Sequence, residues 1–350
     1  TKSSKSFWRG VSQIDEYPTM GVIDEPGIGF SKGTTRIFSD CAGGNGAFGC
    51  ETVLYDATGA GVGRHPAIVV DDEGVAWTGS LEDNGTDDRY IVARYVGSGG
   101  NCDTFADSGS DRWECENVFD AASSQDGAYS SAAINPLTGK PSFVFATDST
   151  SDTNIVIAEY VGSGGTGCIG GSSAYNCTTI IADRGVGFGE GTSIQYTQAG
   201  VPYIAIRQSA GLDIWFAAYV GSGGNCDDDY GGSDAWNCEE IATTDNFGTS
   251  VMLTIDREGV PWIVTGNSTG TDSVAVIKYV ESGGSGCGND AWTCWKVDNA
   301  EIFASSESES AITVDKNNKV WLSYRENSLA DIRLFVAEYV GGGAGSGCTS

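Results

Sequence analysis

Cysteine is the residue type whose spacing in this sequence is most regular. Ten of the 11 cysteines fall into pairs separated by 9, 13, 9, 12 and 7 residues, and Cys348 is left over. No pair has the Cys-x-x-Cys spacing of a zinc site, and the single histidine, His65, cannot complete several such sites. The pattern predicts local disulfides, and therefore an oxidising, extracellular or cell-surface location. The predicted pairs are Cys41–Cys50, Cys102–Cys115, Cys168–Cys177, Cys226–Cys238 and Cys287–Cys294, with Cys348 unpaired.

Two of the cysteine loops are rich in aspartate interspersed with glycine and serine. Calcium prefers six to eight oxygen ligands on such flexible, acidic loops. Neither loop has EF-hand spacing, and a solvated acidic turn explains the same composition. Calcium is therefore a candidate ligand, and no other cofactor is predicted. The candidate ligands are Asp103, Asp107, Asp111, Asp227, Asp228, Asp229 and Asp234.

No residue is predicted to be catalytic. His65 falls where other repeats carry serine (Ser131, Ser193), and it could act as a general base or ligand contact, or simply as a hydrogen-bonded surface residue. No Gly-x-Ser-x-Gly nucleophile motif is present. A glycosidase needs two facing carboxylates, and no repeat combines an acid that its siblings lack with aromatic neighbours. Recurring aromatics at Trp77, Trp262 and their equivalents are interpreted as packing between repeats, with sugar platforms as the alternative.

The charge balance excludes two classes of partner. The formal net charge is −28, and such a surface repels both nucleic acid and anionic lipid headgroups. No run of 18 apolar residues is present, so no direct membrane insertion is expected. Three Asn-x-Ser/Thr sequons, at Asn84, Asn176 and Asn267, are glycosylation candidates that agree with export.

A repeat organises the chain. Tyr-Val followed by a glycine-rich turn recurs at intervals of 65, 59, 60 and 60 residues, and a fixed period of this size indicates one supersecondary unit repeated. Each unit contains four short apolar runs bounded by turn residues, which is typical of a four-stranded antiparallel β-propeller blade. Each predicted disulfide closes the loop between the third and fourth strands, from a cysteine after the turn to one in the fourth strand. The signature tyrosines are Tyr95, Tyr160, Tyr219, Tyr279 and Tyr339.

Counting the units predicts a single all-β domain, 1–350, that forms a six-bladed β-propeller. The blades are 17–54, 64–119, 129–182, 191–243, 249–298 and 308–350, and the last has no fourth strand of its own. Phe7-Trp8-Arg9-Gly10 resembles the fourth-strand pattern aromatic-x-Cys, with Gly10 in place of cysteine. Residues 5–15 are therefore predicted to close the last blade, which explains why Cys348 is unpaired.

The blade pattern, the turn glycines and the closing strand resemble six-bladed propellers of the broad sialidase-like and extracellular repeat type. The resemblance implies a fold and no particular activity. The Asp box of sialidases, Ser-x-Asp-x-Gly-x-x-Trp, is absent in that form, since the nearest stretch, 232–236, has the wrong spacing.

The regularity of the repeats favours a non-catalytic secreted or cell-surface module rather than an enzyme. Its expected roles are adhesion, glycan or protein binding, or extracellular assembly. If residues 5–15 were donated to another copy, the chain could form a filament or surface layer. The alternative is a glycan-acting hydrolase of sialidase-like type. The expected partners are carbohydrate or protein at the cell surface, or copies of the chain itself.

Overall fold

The computed structural model describes residues 39–40, 49–55, 61–83, 88–105, 108–120, 128–149, 152–182, 188–208, 213–242, 251–267, 273–298, 310–327 and 332–341. Within these ranges nearly all regular structure is β-strand, and the short helices α1 (Cys102–Phe105) and α2 (Cys226–Tyr230) are the exceptions. The strands are β1 (Ser39–Asp40), β2 (Gly49–Cys50), β3 (Leu54–Tyr55), β4 (Gly61–Val70), β5 (Ala76–Asp83), β6 (Arg89–Tyr95), β7 (Ser108–Gly109), β8 (Trp113–Phe119), β9 (Ala128–Ile134), β10 (Pro141–Ser149), β11 (Asp152–Tyr160), β12 (Tyr175–Ile181), β13 (Phe188–Tyr196), β14 (Pro202–Gln208), β15 (Ile214–Tyr219), β16 (Trp236–Ala242), β17 (Met252–Ile255), β18 (Pro261–Asn267), β19 (Ser273–Tyr279), β20 (Trp292–Asp298), β21 (Ser310–Val314), β22 (Val320–Asn327) and β23 (Ile332–Glu338).

These strands form successive antiparallel sheets. Sheet I contains β4, β5, β6 and β8; sheet II contains β9 to β12; sheet III contains β13 to β16; and sheet IV contains β17 to β20. Sheet V contains β21, β22 and β23, and two short ladders pair β1 with β2 and β3 with β7. The predicted all-β propeller with four-stranded antiparallel blades is confirmed.

The sheets meet through their first strands, so that β4, β9, β13, β17 and β21 lie side by side on the inner side of the fold. Apolar side chains from both partners fill each boundary between successive sheets, from sheet I to sheet V. The third strands of sheets II, III and IV are buried on both faces because each of these sheets has a neighbour on either side. The inner surface formed by the first strands is therefore held by a packed core at every boundary.

The turn between first and second strands contains a clamp that sequence reasoning recognised only in part. Asp71 directly follows β4. Its Oδ1 accepts a hydrogen bond from the Val75 amide at 2.8 Å, and its Oδ2 accepts one from Trp77 Nε1 at 2.8 Å. The same carboxylate-to-indole bond joins Asp256 to Trp262 at 3.0 Å. Each clamp ties the turn to the second strand, because one carboxylate satisfies both a backbone and a side-chain donor.

Four of the predicted disulfides are present. They join Cys102 to Cys115, Cys168 to Cys177, Cys226 to Cys238 and Cys287 to Cys294, with Cα–Cα distances of 5.1, 4.8, 5.1 and 5.2 Å. Each connects the third-to-fourth strand loop to the outer strand, as predicted. Cys41 and Cys348 lie outside the described residues. So do residues 5–15 and most of the predicted first blade, 17–54, and the count of six blades and the single-domain boundary stay predictions.

No helix in the described ranges is long and apolar enough to cross a membrane.

Candidate functional site

The innermost strands of sheets I and II share a backbone irregularity at the end where each begins. In β4 the pairing with β5 shifts between Arg64 and Ala67, and in β9 the pairing with β10 shifts between Ala128 and Ser131. The residues inside these bulges, His65 and Tyr129, occupy equivalent positions and have φ angles of 49° and 51°. The left-handed region costs a non-glycine residue about 1–2 kcal/mol. Bulges of this kind re-aim side chains and are frequent next to active sites.

The two bulges bring an imidazole and a phenol ring together. The ring centroids of His65 and Tyr129 lie 4.3 Å apart with an interplanar angle of 39°. Burial lowers the pKa of His65, and the positive charge of Arg64 lowers it further. His65 is therefore neutral at pH 7 and offers one N–H donor and one lone-pair acceptor.

Hydroxyl groups from the next sheet stabilise both bulges. Ser130 Oγ donates to the His65 carbonyl at 2.6 Å, and Thr192 Oγ1 donates to the Tyr129 carbonyl at 2.5 Å. Ser130 and Thr192 occupy equivalent positions in β9 and β13, and each donates to the carbonyl of a residue inside the bulge of the preceding sheet. Ser131 Oγ also lies 3.2 Å from Thr192 Oγ1. The strained residues are thus held in place across two sheet boundaries.

One described carboxylate, that of Asp83, lies at the end of the fold where the inner strands begin. Arg64, beside His65, forms an ion pair with Asp83 at the end of β5, and the two side chains are 59% and 24% exposed. Glu190 belongs to the backbone of β13, directly before Gly191, and Gly191 is the position equivalent to His65 and Tyr129. The backbone positions of Asp83 and Glu190 therefore lie in strands next to the two that carry the rings.

A second acidic pair lies farther out in sheet III. Burial raises the pKa of Asp213 from 3.8 to about 6, and the negative charge of Glu240 adds to the shift. Asp213 directly precedes β15, the third strand, and Glu240 lies in the outer strand β16, so the pair is remote from the first strands. Sequence reasoning missed it, because 27 residues separate the two positions in the chain and only the β15–β16 pairing joins them.

The structure corrects the expected equivalence of His65. The ladders align Ala67, opposite Gly79, with Ser131, opposite Val144, and leave His65 equivalent to Tyr129. The expected alignment with serine fails because residues inside a bulge have no partner on the neighbouring strand, so counting along the sequence shifts the register. No sequence signal marks the bulge beyond the lone histidine itself.

The predicted calcium ligands are not gathered in the part of the chain that the structure describes. No group of three or more His, Cys, Asp or Glu side chains that could hold a metal occurs among those residues. Asp103, Asp111, Asp227, Asp228 and Asp234 are exposed, while Asp107 and the side chain of Asp229 lie outside the described residues. Calcium binding stays an untested prediction.

The sequons also remain untested. Asn176 is half-buried in β12, and its Oδ1 accepts a hydrogen bond from the Thr166 amide at 3.0 Å. Asn84 and the side chain of Asn267 lie outside the described residues.

The recurring tryptophans of the second strands are packing residues. Trp77 is buried with its ring 4.7 Å from that of Tyr160, and Trp262 is buried 4.8 Å from Tyr339, each across a sheet boundary. The packing interpretation is confirmed at these positions, because a buried ring offers no platform to a sugar.

Comparisons with known proteins show similarity of fold. No protein-family model matches the sequence, and no curated protein does. An endo-arabinase from Bacteroides thetaiotaomicron is 12% identical, with 84% of this chain and 99% of that chain covered and a TM-score of 0.41. An α-L-arabinofuranosidase from Fusarium graminearum is 8% identical over 81% and 84% of the two chains, with a TM-score of 0.46. A Dyadobacter fermentans protein of unknown function is 11% identical over 82% and 81%, with a TM-score of 0.48.

These findings contradict the main functional prediction. Several of the similar structures are named as glycan-acting hydrolases, so the expectation of a non-catalytic module for adhesion, binding or assembly, and of no enzyme activity, is wrong. The resemblance to sialidase-like propellers is confirmed for the propeller fold only. The regularity of the repeats led to the wrong functional prediction for a physical reason. Side chains that meet at the inner end of a propeller come from different blades, and no single repeat then has to look unusual.

Proposed function

We propose that this chain is a secreted or cell-surface glycan-acting hydrolase. Its substrate binds at the end of the inner surface where the bulges of β4 and β9 hold His65 and Tyr129. A shared fold does not establish a shared reaction, so the proposal rests on the site.

The observation that carries the proposal is the contact between the two rings across the boundary of sheets I and II. Two half-buried rings 4.3 Å apart provide an apolar surface for the C–H face of a sugar. The neutral imidazole adds one donor and one acceptor for sugar hydroxyls. Cross-sheet hydrogen bonds to both carbonyls hold the rings before a ligand arrives, which reduces the ordering cost of binding.

Hydrolysis of a glycosidic bond uses two carboxyl groups. One protonates the leaving oxygen, and the other activates water or attacks the anomeric carbon. We assign Asp83 and Glu190 as the candidates, because they are carried by β5 and β13 on either side of the paired rings. The ion pair with Arg64 orients Asp83.

The net charge of the protein limits the class of glycan expected as substrate. A net charge of −28 repels polyanionic chains, so neutral glycans are favoured over uronic acid polymers or sulfated glycans. The disulfides favour an oxidising compartment, in agreement with a polymeric substrate outside the cell.

The test is the release of reducing ends from arabinan, β-1,3-galactan and xylan, with polygalacturonate as the anionic comparison. We expect turnover of at least one neutral polymer and none of polygalacturonate. Asp83→Asn and Glu190→Gln should each lower kcat by about 10²-fold or more, the contribution typical of a general acid or base. Asp103→Asn, an exposed acid in the loop between β6 and β8, should retain full activity.

Two results would overturn the proposal. One is the lack of product from every polymer by a folded, disulfide-bonded protein. The other is full activity in both Asp83→Asn and Glu190→Gln. Melting temperatures of all variants must accompany the rates, since loss of the ion pair with Arg64 could also lower stability.

A further inference from the structure

Tyr90, in the third strand of sheet I, is a buried tyrosine that the other sheets do not repeat. Its ring is fully buried and stacks on that of Phe145, with the two centroids 4.2 Å apart. Phenylalanine would serve this packing equally well, so the hydroxyl group requires its own explanation. The equivalent residues of sheets II to V are all aliphatic: Ile155, Ile214, Val274 and Leu334.

Gly79, in the second strand of sheet I, makes room for that hydroxyl. A Cβ added at Gly79 would lie 2.1 Å from Tyr90 Oη and 2.8 Å from Phe143 Cδ1, so any side chain there would displace the phenol. The glycine and the tyrosine therefore depart from the repeat together, and the phenol extends from the third strand across the second. The equivalent second-strand positions all carry side chains: Val144, Ala205, Val264 and Ser323.

The hydroxyl of Tyr90 ends beside Ser130, at the boundary between sheets I and II. Burial raises the pKa of Tyr90, and the neighbouring hydroxyl of Ser130 lowers it. Among the described residues, no hydrogen bond of normal geometry satisfies Tyr90 Oη. Ser130 Oγ already donates to the His65 carbonyl at 2.6 Å, and its lone pairs can still accept a hydrogen bond. Because a buried donor without an acceptor is destabilising, Ser130 is the acceptor that the fold offers.

We propose that Tyr90 is a positioning residue for the bulge of β4: its hydroxyl donates to Ser130 Oγ, and Ser130 donates to the His65 carbonyl. These two bonds form a chain from the core of sheet I to the residue that carries the imidazole. A hydroxyl that accepts a hydrogen bond becomes a stronger donor, because bonds in a chain polarise one another. Tyr90 therefore directs the Ser130 hydroxyl toward the bulge. The consequence for glycan binding rests on the proposed function, whereas the chain of hydroxyls does not.

His65 provides a direct readout, because it is the only histidine in the sequence. In untagged protein, a single imidazole Cε1–H signal gives the pKa of His65 by NMR titration. Burial and the charge of Arg64 hold this pKa below its ordinary value of 6.5. Tyr90→Phe should loosen the bulge, admit water to the imidazole and raise the pKa of His65 by roughly half a pH unit. If the pKa of His65 is unchanged, Tyr90 has no positioning role.

The melting temperature gives a second readout. If Tyr90 donates to Ser130, Tyr90→Phe removes a hydrogen bond and should lower the melting temperature by about 2 °C. If the hydroxyl had no acceptor, phenylalanine would remove a buried unsatisfied group, and a constant or higher melting temperature would overturn the proposal. In a Ser130→Ala background the acceptor is gone, so Tyr90→Phe should no longer lower the melting temperature. An equal decrease in both backgrounds would also contradict the chain.

Tyr196→Phe is the matched control. Tyr196 is the last residue of β13, and its hydroxyl lies 2.7 Å from Ser142 Oγ across the boundary between sheets II and III. Its substitution removes this bond and should lower the melting temperature while leaving the pKa of His65 unchanged. If Tyr196→Phe raised the pKa of His65 as much as Tyr90→Phe does, the effect of Tyr90 would be a general loss of stability rather than positioning.

Calorimetric binding of arabinan, β-1,3-galactan and xylan separates this proposal from the proposed function. For any polymer that the wild type binds, Tyr90→Phe should weaken the affinity by roughly threefold, less than Ser130→Ala, because the bond from Ser130 to the His65 carbonyl remains. If no polymer binds but Tyr90→Phe raises the pKa of His65, the chain stands and the hydrolase function fails. If a polymer binds and Tyr90→Phe changes neither its affinity nor the pKa of His65, the chain fails and the hydrolase function stands.

Discussion

The imidazole of His65 lies 4.3 Å from the ring of Tyr129 across the boundary between sheets I and II, and both residues have left-handed backbones. Two strained residues in contact, each with its carbonyl bonded to a hydroxyl of the following sheet, form an arrangement that stability alone does not require. The strain itself can be measured.

His65→Gly should be more stable than His65→Ala by about 1 kcal/mol, because glycine adopts a φ of 49° without the Cβ penalty. Both variants lose the ring contact with Tyr129, so the free energy of that contact cancels when the stabilities of the two variants are compared. Urea unfolding of the two variants gives the comparison directly. Equal stability, or a more stable alanine variant, would show that the bulge is not strained.

Ser130→Ala should weaken glycan binding by roughly tenfold, equivalent to the roughly 1–1.5 kcal/mol of a lost hydrogen bond, because the His65 carbonyl loses its donor and the bulge loosens. Ser130→Thr should restore binding, since Thr192 makes the same bond at the equivalent position of sheet III. Glycan affinity by calorimetry, together with melting temperature, separates positioning from folding. A threonine variant as weak as the alanine variant would contradict this role.

Trp77→Phe should destabilise the protein more than Trp321→Phe does. The indole of Trp77 donates to Asp71 Oδ2 in a buried clamp, and its removal leaves a buried carboxylate oxygen unsatisfied, at a cost of about 1–3 kcal/mol. The corresponding bond from Trp321 to Asp315 is 3.3 Å long and partly exposed, so water can replace the donor. Chemical denaturation of both variants tests the difference, and equal losses would count against it.

Asp213→Asn should stabilise the protein at pH 7 and have little effect at pH 4. The folded-state pKa of about 6 lies above the ordinary value of 3.8, so the folded protein binds the proton more tightly and loses stability as pH rises from about 4 to 6. At pH 7 the wild type holds a half-buried carboxylate near Glu240, and asparagine removes that charge. At pH 4 both side chains are neutral in the folded protein.

The check is the difference in unfolding free energy between wild type and Asp213→Asn at the two pH values. Asp234→Asn, an exposed aspartate in the loop before β16, serves as the control and should show no such pH dependence. A stabilisation by Asp213→Asn that is the same at pH 4 and pH 7 would exclude titration of Asp213 as its cause.

Local sequence patterns predicted much of the scaffold. The interval between successive Tyr-Val signatures predicted the repeated sheets, and the short cysteine spacings predicted disulfides such as Cys168–Cys177, because both depend on neighbours within one blade. The acid at the end of each first strand was also visible, although its bond to the tryptophan six residues later was not. Local spacing carries this information because a strand, its turn and the next strand are close in sequence and in space.

The candidate site was decided by the tertiary structure. His65 and Tyr129 are 64 residues apart in sequence, and so are Arg64 and Ala128 beside them, yet only the packing of β4 on β9 brings the two rings into contact. The bulges that contain them have no sequence signature, because the strain is balanced by hydroxyls of the following sheet. The sequence by itself determined the blades and their crosslinks. Packing between blades at the inner surface determined which side chains contact one another, because these contacts join residues that are a whole repeat apart in sequence.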